Sequence, residues 1–143
     1  MTTMTQKYKI LGKYIKDMSS ETPDIETYIF VKDQITKYQL GIDITSKPLK
    51  NQMVEINTLL KFVDKEENKK KSCFEIMFST IVKIDEQIKE KKDLEKIILC
   101  DVQSEIYPDL EKSLLNLLHN SGYPNVKFEK KVDFEELYGQ RLN

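Results

Sequence analysis

From Tyr38 the chain alternates apolar and polar residues with a period of two, Tyr38, Leu40, Ile42 and Ile44 against Gln39, Gly41, Asp43 and Thr45. That period is the mark of a strand with one wet face. The stretch Lys47-Pro48-Leu49-Lys50-Asn51 breaks it, and a longer strand follows in which Val54, Ile56, Thr58, Leu60 and Phe62 alternate with Met53, Glu55, Asn57, Leu59 and Lys61. A polar run from Asp64 to Lys71 reads as a hairpin tip, after which Phe74, Ile76, Phe78, Thr80, Val82 and Ile84 alternate with Cys73, Glu75, Met77, Ser79, Ile81 and Lys83. Three strands joined by short polar turns predict an antiparallel meander.

The segment from Tyr8 to Asp17 also alternates but is apolar on both sides, with Ile10 and Tyr14 on one and Leu11 and Ile15 on the other. It reads as a fourth strand. An edge strand of this kind invites pairing with another chain, so a subunit contact is expected at Tyr8, Ile10 and Tyr14. The crossover from Pro23 to Gln34 carries Ile25, Tyr28, Ile29 and Phe30, too many apolar groups for a free loop. Beyond Lys89-Glu90-Lys91-Lys92 the spacing becomes three and four: Leu94, Ile97, Ile98, Val102, Ile106, Leu110, Leu114, Leu117 and Leu118 form one stripe of a long helix. Pro108 should kink that helix or start a new one near Tyr107, and Asn120-Ser121-Gly122 with Pro124 should end it. Asp133, with Glu136 three positions on, opens a short helix carrying Phe134, Leu137, Tyr138 and Leu142. Strands first and helices after predict an α+β fold: a four-stranded antiparallel sheet with a long helix and a short C-terminal helix on one side. The opposite face, with Met53, Leu59, Cys73, Met77 and Ile81 among polar residues, is then an apolar-polar surface left for binding or assembly.

Composition narrows the classes of function. A length of 143 residues predicts one domain, residues 1–143. With 39% hydrophobic and 33% charged residues the chain is expected to fold. Its net charge of -1, with Arg141 its only arginine, argues against dense phosphate recognition and nucleic acid. No apolar run approaches the ~20 residues that span a bilayer, and Met1 to Gln6 lacks the features of a signal peptide, so a cytoplasmic protein is expected. The glycines are isolated, which leaves no phosphate-cradling loop. His119 stands alone near a helix C-terminus, where the dipole accounts for it, and with two distant cysteines, Cys73 and Cys100, it makes a poor zinc set. Acid pairs such as Glu66-Glu67, Asp85-Glu86 and Glu135-Glu136 sit in turns or at helix starts. No catalytic residue, metal or cofactor is expected.

What remains is Tyr14-Ile15-Lys16-Asp17-Met18-Ser19-Ser20-Glu21-Thr22-Pro23, whose carboxylates form either a docking surface or a solvated turn. This segment resembles the N-terminal signature of the SecB protein-export chaperones, an aromatic-x-Lys-Asp-hydrophobic-Ser stretch followed by Glu-x-Pro. Ile106-Tyr107-Pro108, Gly122-Tyr123-Pro124 and Val132-Asp133-Phe134-Glu135-Glu136-Leu137-Tyr138 resemble that family's Phe-Pro helix, Gly-aromatic-Pro turn and closing helix. Val102-Gln103 stands where the family usually has Cys-Pro, and the chain lacks the family's strongly acidic balance. The resemblance implies an ATP-independent holdase, assembled as a homotetramer (a dimer of dimers), that binds unfolded precursors and passes them to the SecA motor ATPase.

By the same resemblance, motor docking falls on Asp17 and Glu21 near the exit of the first strand and on Cys73 and Glu75 of the last. The client groove is expected at Ile25, Tyr28, Ile29 and Phe30 with Met77. The oligomer interface is expected to add Leu110 and Leu114 of the long helix to Tyr8, Ile10 and Tyr14. A related chaperone dedicated to a toxin-antitoxin client, or a small-ligand carrier using the sheet cavity, are the other readings.

Overall fold

In a computed structural model of the chain, residues 7–66 and 70–142 are described. The middle of the polar hairpin tip, including Glu67 and Lys69, and the leader Met1 to Gln6 lie outside them. Four strands form one antiparallel sheet: β1 (Tyr8–Glu21), β2 (Gln39–Pro48), β3 (Met53–Val63) and β4 (Cys73–Ile84), in the order β1-β4-β3-β2. The expected meander is β2-β3-β4, and β1 adds to its far edge. Because β1 and β2 occupy opposite edges, the chain between them must cross one end of the sheet. It does so as helix α1 (Ile25–Gln34) and a 3-10 turn (Ile35–Lys37).

The crossover is thus helical where the sequence reading left it without a type. Asp24 caps it, accepting a hydrogen bond from the Thr27 backbone N–H at 2.8 Å, and hydrogen bonding from Thr27 holds the Asp24 carboxyl below its usual range. Only Thr27 and Val31 of α1 are buried. Its apolar residues do not share one inward stripe, which is why periodicity alone did not give a helix.

Two β-bulges distort β1. Its register against β4 slips between Ile10 and Gly12 and again between Ile15 and Asp17, leaving Leu11 and Lys16 as the extra residues. Each slip reverses the alternation. Ile10 lies opposite Val82 on the helix side, whereas Tyr14 lies opposite Ser79 on the other face. The expectation that Ile10 and Tyr14 share a face is corrected: strict alternation does not survive an inserted residue.

After β4 the chain enters α2 (Lys91–Lys96), a π-helical turn (Ile97–Asp101) and α3 (Val102–Asn120), one continuous helix over 91–120. No new helix begins near Tyr107. α3 passes through Pro108, and the departure from α geometry lies two turns earlier, in the π turn. The Gln103 amide, wholly buried, donates to the Ile98 carbonyl (3.2 Å) and accepts from the Thr58 hydroxyl (2.9 Å), tying this wide turn to β3. Ile106, Leu110, Leu114 and Leu118, each 0% exposed, lay α3 on the sheet. Continuous burial along that face stabilises the helix against the cost of the proline, which is ~3 kcal/mol in a helix interior.

Helix α4 (Phe134–Leu142) starts as expected, with Asp133 accepting from the backbone N–H groups of Glu135 and Glu136 at 3.1 Å. Phe134 is buried edge-on against Tyr107, and the Tyr138 hydroxyl reaches the Lys92 carbonyl at 3.4 Å. Leu137 points away from that contact and stays exposed.

Candidate functional site

With the helices on one side, the other face of the sheet is open. Residues directly opposite one another across antiparallel strands share a face, so the register defines this surface row by row. Glu21 lies opposite Cys73, Ser19 opposite Glu75 and Asp17 opposite Met77. The four residues assigned to docking, Asp17, Glu21, Cys73 and Glu75, therefore occupy one corner of the open face, shared by β1 and β4. Glu75 pairs with Lys61 on β3 at 3.5 Å and accepts from the Cys73 thiol at 3.6 Å. Burial, and then the Glu75 charge, push the Cys73 thiol up, so it stays protonated as a weak donor. Further along the face, Lys16 approaches Glu55 at 3.8 Å, Glu55 accepts from Asn57, and Asn57 accepts a hydrogen bond from Ser79.

Met77 lies in this same face, beside Asp17 and Leu59. The expected grouping of Met77 with Ile25, Tyr28, Ile29 and Phe30 is thus not formed, because α1 packs on the helix side. Tyr28 stacks on Tyr123 with ring centroids 5.5 Å apart and donates to the Gly122 carbonyl at 3.0 Å. Gly122 needs its φ of +107° there, and a Cβ on it would meet the Tyr28 ring at 2.5 Å. Ile25, Ile29 and Phe30 stand exposed on the outer side of α1.

The concave surface on the helix side begins at the C-terminal end of α1, at Lys32 and Asp33. A cavity of about 570 Å³ opens between the end of α1 and the segment after Gly122, lined by Ile35, Tyr38, Leu40, Phe62, Tyr123 and Phe128. A second, of about 620 Å³, continues along β2 toward α4 and shares Leu40 and Phe128 while adding Ile42, Val132 and Leu137. Together they form a trough with an apolar floor along the helix side of the β2 edge, bordered by Lys32 and Asp33 at one end and by the charged run Lys127 to Lys131 with Asp133 and Glu136 at the other. In the sequence Tyr38, Leu40 and Ile42 read as the apolar side of a strand and Asn120-Ser121-Gly122 with Pro124 as a helix stop, which leaves the residues after Pro124 without an element. The alternation of Val126 and Phe128, half-buried against the core, was the available signal.

The residues expected at an oligomer interface separate. Tyr8 is half-buried, its hydroxyl donating to the Glu105 carboxylate at 3.0 Å with the Asp101 carbonyl at 3.3 Å, and burial raises its pKa. Ile10 packs against the core. Leu110 and Leu114 are wholly interior, so the interface role expected of them does not fit: their side chains are spent on the chain's own sheet. Tyr14 is exposed, together with Leu11, Ile15 and Met18 on the same strand; Leu11 and Ile15 fall within the segment expected to pair with another chain, and Met18 lies beyond it. Among the described residues no group of three His, Cys, Asp or Glu is placed to hold a metal, and no helix is long and apolar enough to cross a membrane.

The family model described as preprotein translocase subunit SecB matches residues 2–143. The chain belongs to the SecB family. A protein-export SecB relative from Pelagibacter ubique is 62% identical over 140 residues, covering 98% of this chain and all of that one. The protein-export protein SecB of Parvibaculum lavamentivorans is 24% identical over 138 residues, covering 93% of this chain and 77% of its own length. Among solved structures, a SecB-like chaperone of Mycobacterium tuberculosis in complex with an antitoxin peptide superposes with a TM-score of 0.63 at 9% identity, over 88% of this chain and 91% of that one. The SecB family is one of protein-export chaperones, not enzymes. The fold read from the sequence, a four-stranded antiparallel sheet with a long and a short helix on one side, is the SecB-like fold.

Proposed function

We propose that this chain is an ATP-independent holdase that keeps unfolded precursors from folding and delivers them to the SecA motor ATPase for export. The observation that carries the reading is the separation of two surfaces. An apolar trough runs along β2 on the helix side, and an acidic corner of β1 and β4 faces the other way. A client in the trough leaves Asp17, Glu21, Cys73 and Glu75 free for a motor.

Apolar client segments bury against Tyr38, Leu40, Phe62 and Phe128, and the exposed Ile25, Ile29 and Phe30 of α1 extend that surface. A partner that binds the unfolded state and not the native one lowers the free energy of the unfolded client and delays its folding. Several such troughs in a homotetramer multiply the effect by avidity. The exposed Leu11, Tyr14, Ile15 and Met18 of the β1 edge are the material for that assembly. Such a chaperone works in the cytoplasm, before export.

The test is refolding of a denatured precursor followed by its own fluorescence. A stoichiometric amount of this protein should slow refolding severalfold without ATP, and an unchanged refolding rate would sink the holdase reading. A chaperone dedicated to an antitoxin is the second reading, favoured by the fold it shares with the antitoxin-bound Mycobacterium tuberculosis protein. Preferential arrest of an antitoxin over export precursors in the same assay would select it.

A further inference from the structure

One row of the open face stands apart in its chemistry. Reading across the sheet from β2 to β1, Asp43 lies opposite Leu59, Leu59 opposite Met77, and Met77 opposite Asp17. An apolar pair is therefore flanked by a carboxylate at each edge of the sheet. Of the other acids of this face, Glu55 is matched by Lys16 at 3.8 Å and Glu75 by Lys61 at 3.5 Å, whereas Glu21, at the corner, has no ion-pair partner among the described residues. Asp17 and Asp43 are exposed and have no ion-pair partner among the described residues. The far end of the same face has the opposite sign. There Lys9 sits directly across from Lys83, and Lys47 on β2 lies opposite Glu55, so lysines outnumber acids. Like charges placed directly opposite destabilise a strand pair, and they repel a cationic ligand from that end.

We propose that this row binds a short basic-apolar-basic segment of a partner protein, laid across the strands, with Asp43 as a second anchor opposite Asp17. Strand spacing sets the pattern. Three inter-strand steps of ~4.8 Å put the two edges about 14 Å apart, and four residues of extended chain cover about the same distance. Residues i, i+2 and i+4 of an extended chain point the same way. A segment Lys/Arg-x-apolar-x-Lys/Arg then places its central side chain over Leu59 and Met77 while its cations reach Asp17 and Asp43. This rests on the open face being the docking surface. It extends that surface to β2, which Asp17, Glu21, Cys73 and Glu75 do not reach.

The probe is a fluorescein-labelled peptide with the core Lys-Ser-Leu-Ser-Lys, compared at low salt with its isomer Ser-Lys-Leu-Lys-Ser. Steady-state anisotropy should show tighter binding of the spaced peptide. Asp17→Asn and Asp43→Asn should each weaken it by about threefold to fivefold, and the two together by about tenfold or more. Salt near 1 M, where the Debye length is ~3 Å, should abolish the difference between the peptides. Equal binding of the isomer, or no effect of Asp43→Asn, would overturn the inference. Thermal unfolding of each variant checks that the fold is intact. SecA titrated against the same proteins separates the two levels of the argument. Affinity lost in Asp17→Lys with Glu75→Lys but kept in Asp43→Asn leaves the docking reading standing and removes this one. Affinity kept in all of them removes both.

Discussion

On the face under the helices, Val54, Ile56, Leu60, Phe74, Ile76 and Val82 are all 7% exposed or less, while their neighbours on the other face, Glu55, Leu59, Glu75, Met77 and Ile81, are only half-buried. The same strands build both surfaces, so composition along a strand does not separate them; what covers each face does. The helix side is closed by α3, whose every inward residue is spent on packing, except along β2, where the helices stop short and the trough begins. The open side keeps its charges, arranged by register into an acidic corner and a basic end. Stability therefore resides in one face, and the surface left uncovered, proposed above for partner recognition, lies on the other face and along the margin of the first.

Core substitutions give the largest contrast. Leu114→Ala should cost about 2 to 5 kcal/mol, the usual range for a buried leucine, measured by urea unfolding. Leu59→Ala, half-buried on the open face, should cost less than about 1 kcal/mol. Equal costs would mean that the open face is as much core as the other. At the margin of the trough, Gly122→Ala forces a side chain into the left-handed region and against Tyr28. It should cost about 1 to 3 kcal/mol and weaken client binding together with stability. Loss of stability alone would show that the packing of Tyr28 on Gly122 and Tyr123 does not shape the trough.

The smallest effect is a pH dependence confined to α1. Hydrogen bonding from Thr27 depresses the folded-state pKa of Asp24. A depressed pKa means that the carboxylate stabilises the cap above the unfolded value, about 3.9 for aspartate, and that this contribution is lost as pH falls through the lower folded value. Protection factors of the α1 amides, taken against the intrinsic exchange rate at each pH, should therefore fall in acid more than those of β3. Asp24→Asn, an equally good cap, should remove the difference, and an unchanged acid response in that variant would place its origin elsewhere.

The strands of the meander, the long helix with Leu110, Leu114 and Leu118 inside, and the Asp133 cap were legible because each follows one unbroken period or one local hydrogen-bond rule. The corner formed by Asp17, Glu21, Cys73 and Glu75 was legible through resemblance, and alternation placed Glu75 correctly on the open side. β1 was not fully legible, since bulges at Leu11 and Lys16 are set by pairing with β4 and leave no mark in the hydropathy pattern. Nor was the trough. Its walls come from three distant segments, around Tyr38, Phe62 and Phe128, and only topology brings them together. Leu110 and Leu114 are assigned to the interface through the resemblance, which carries the long helix as a whole, whereas burial on the chain's own sheet decides where these two side chains go.

If client and motor use separable surfaces of one chain, the two affinities should part when both are measured in Asp17→Lys with Glu75→Lys. SecA affinity should fall by about tenfold or more at low salt, since close charge pairs at interfaces carry coupling energies of about 1.5 kcal/mol and upward, with affinity for an unfolded precursor unchanged. A parallel loss of both, or an unchanged affinity for SecA, would contradict that separation.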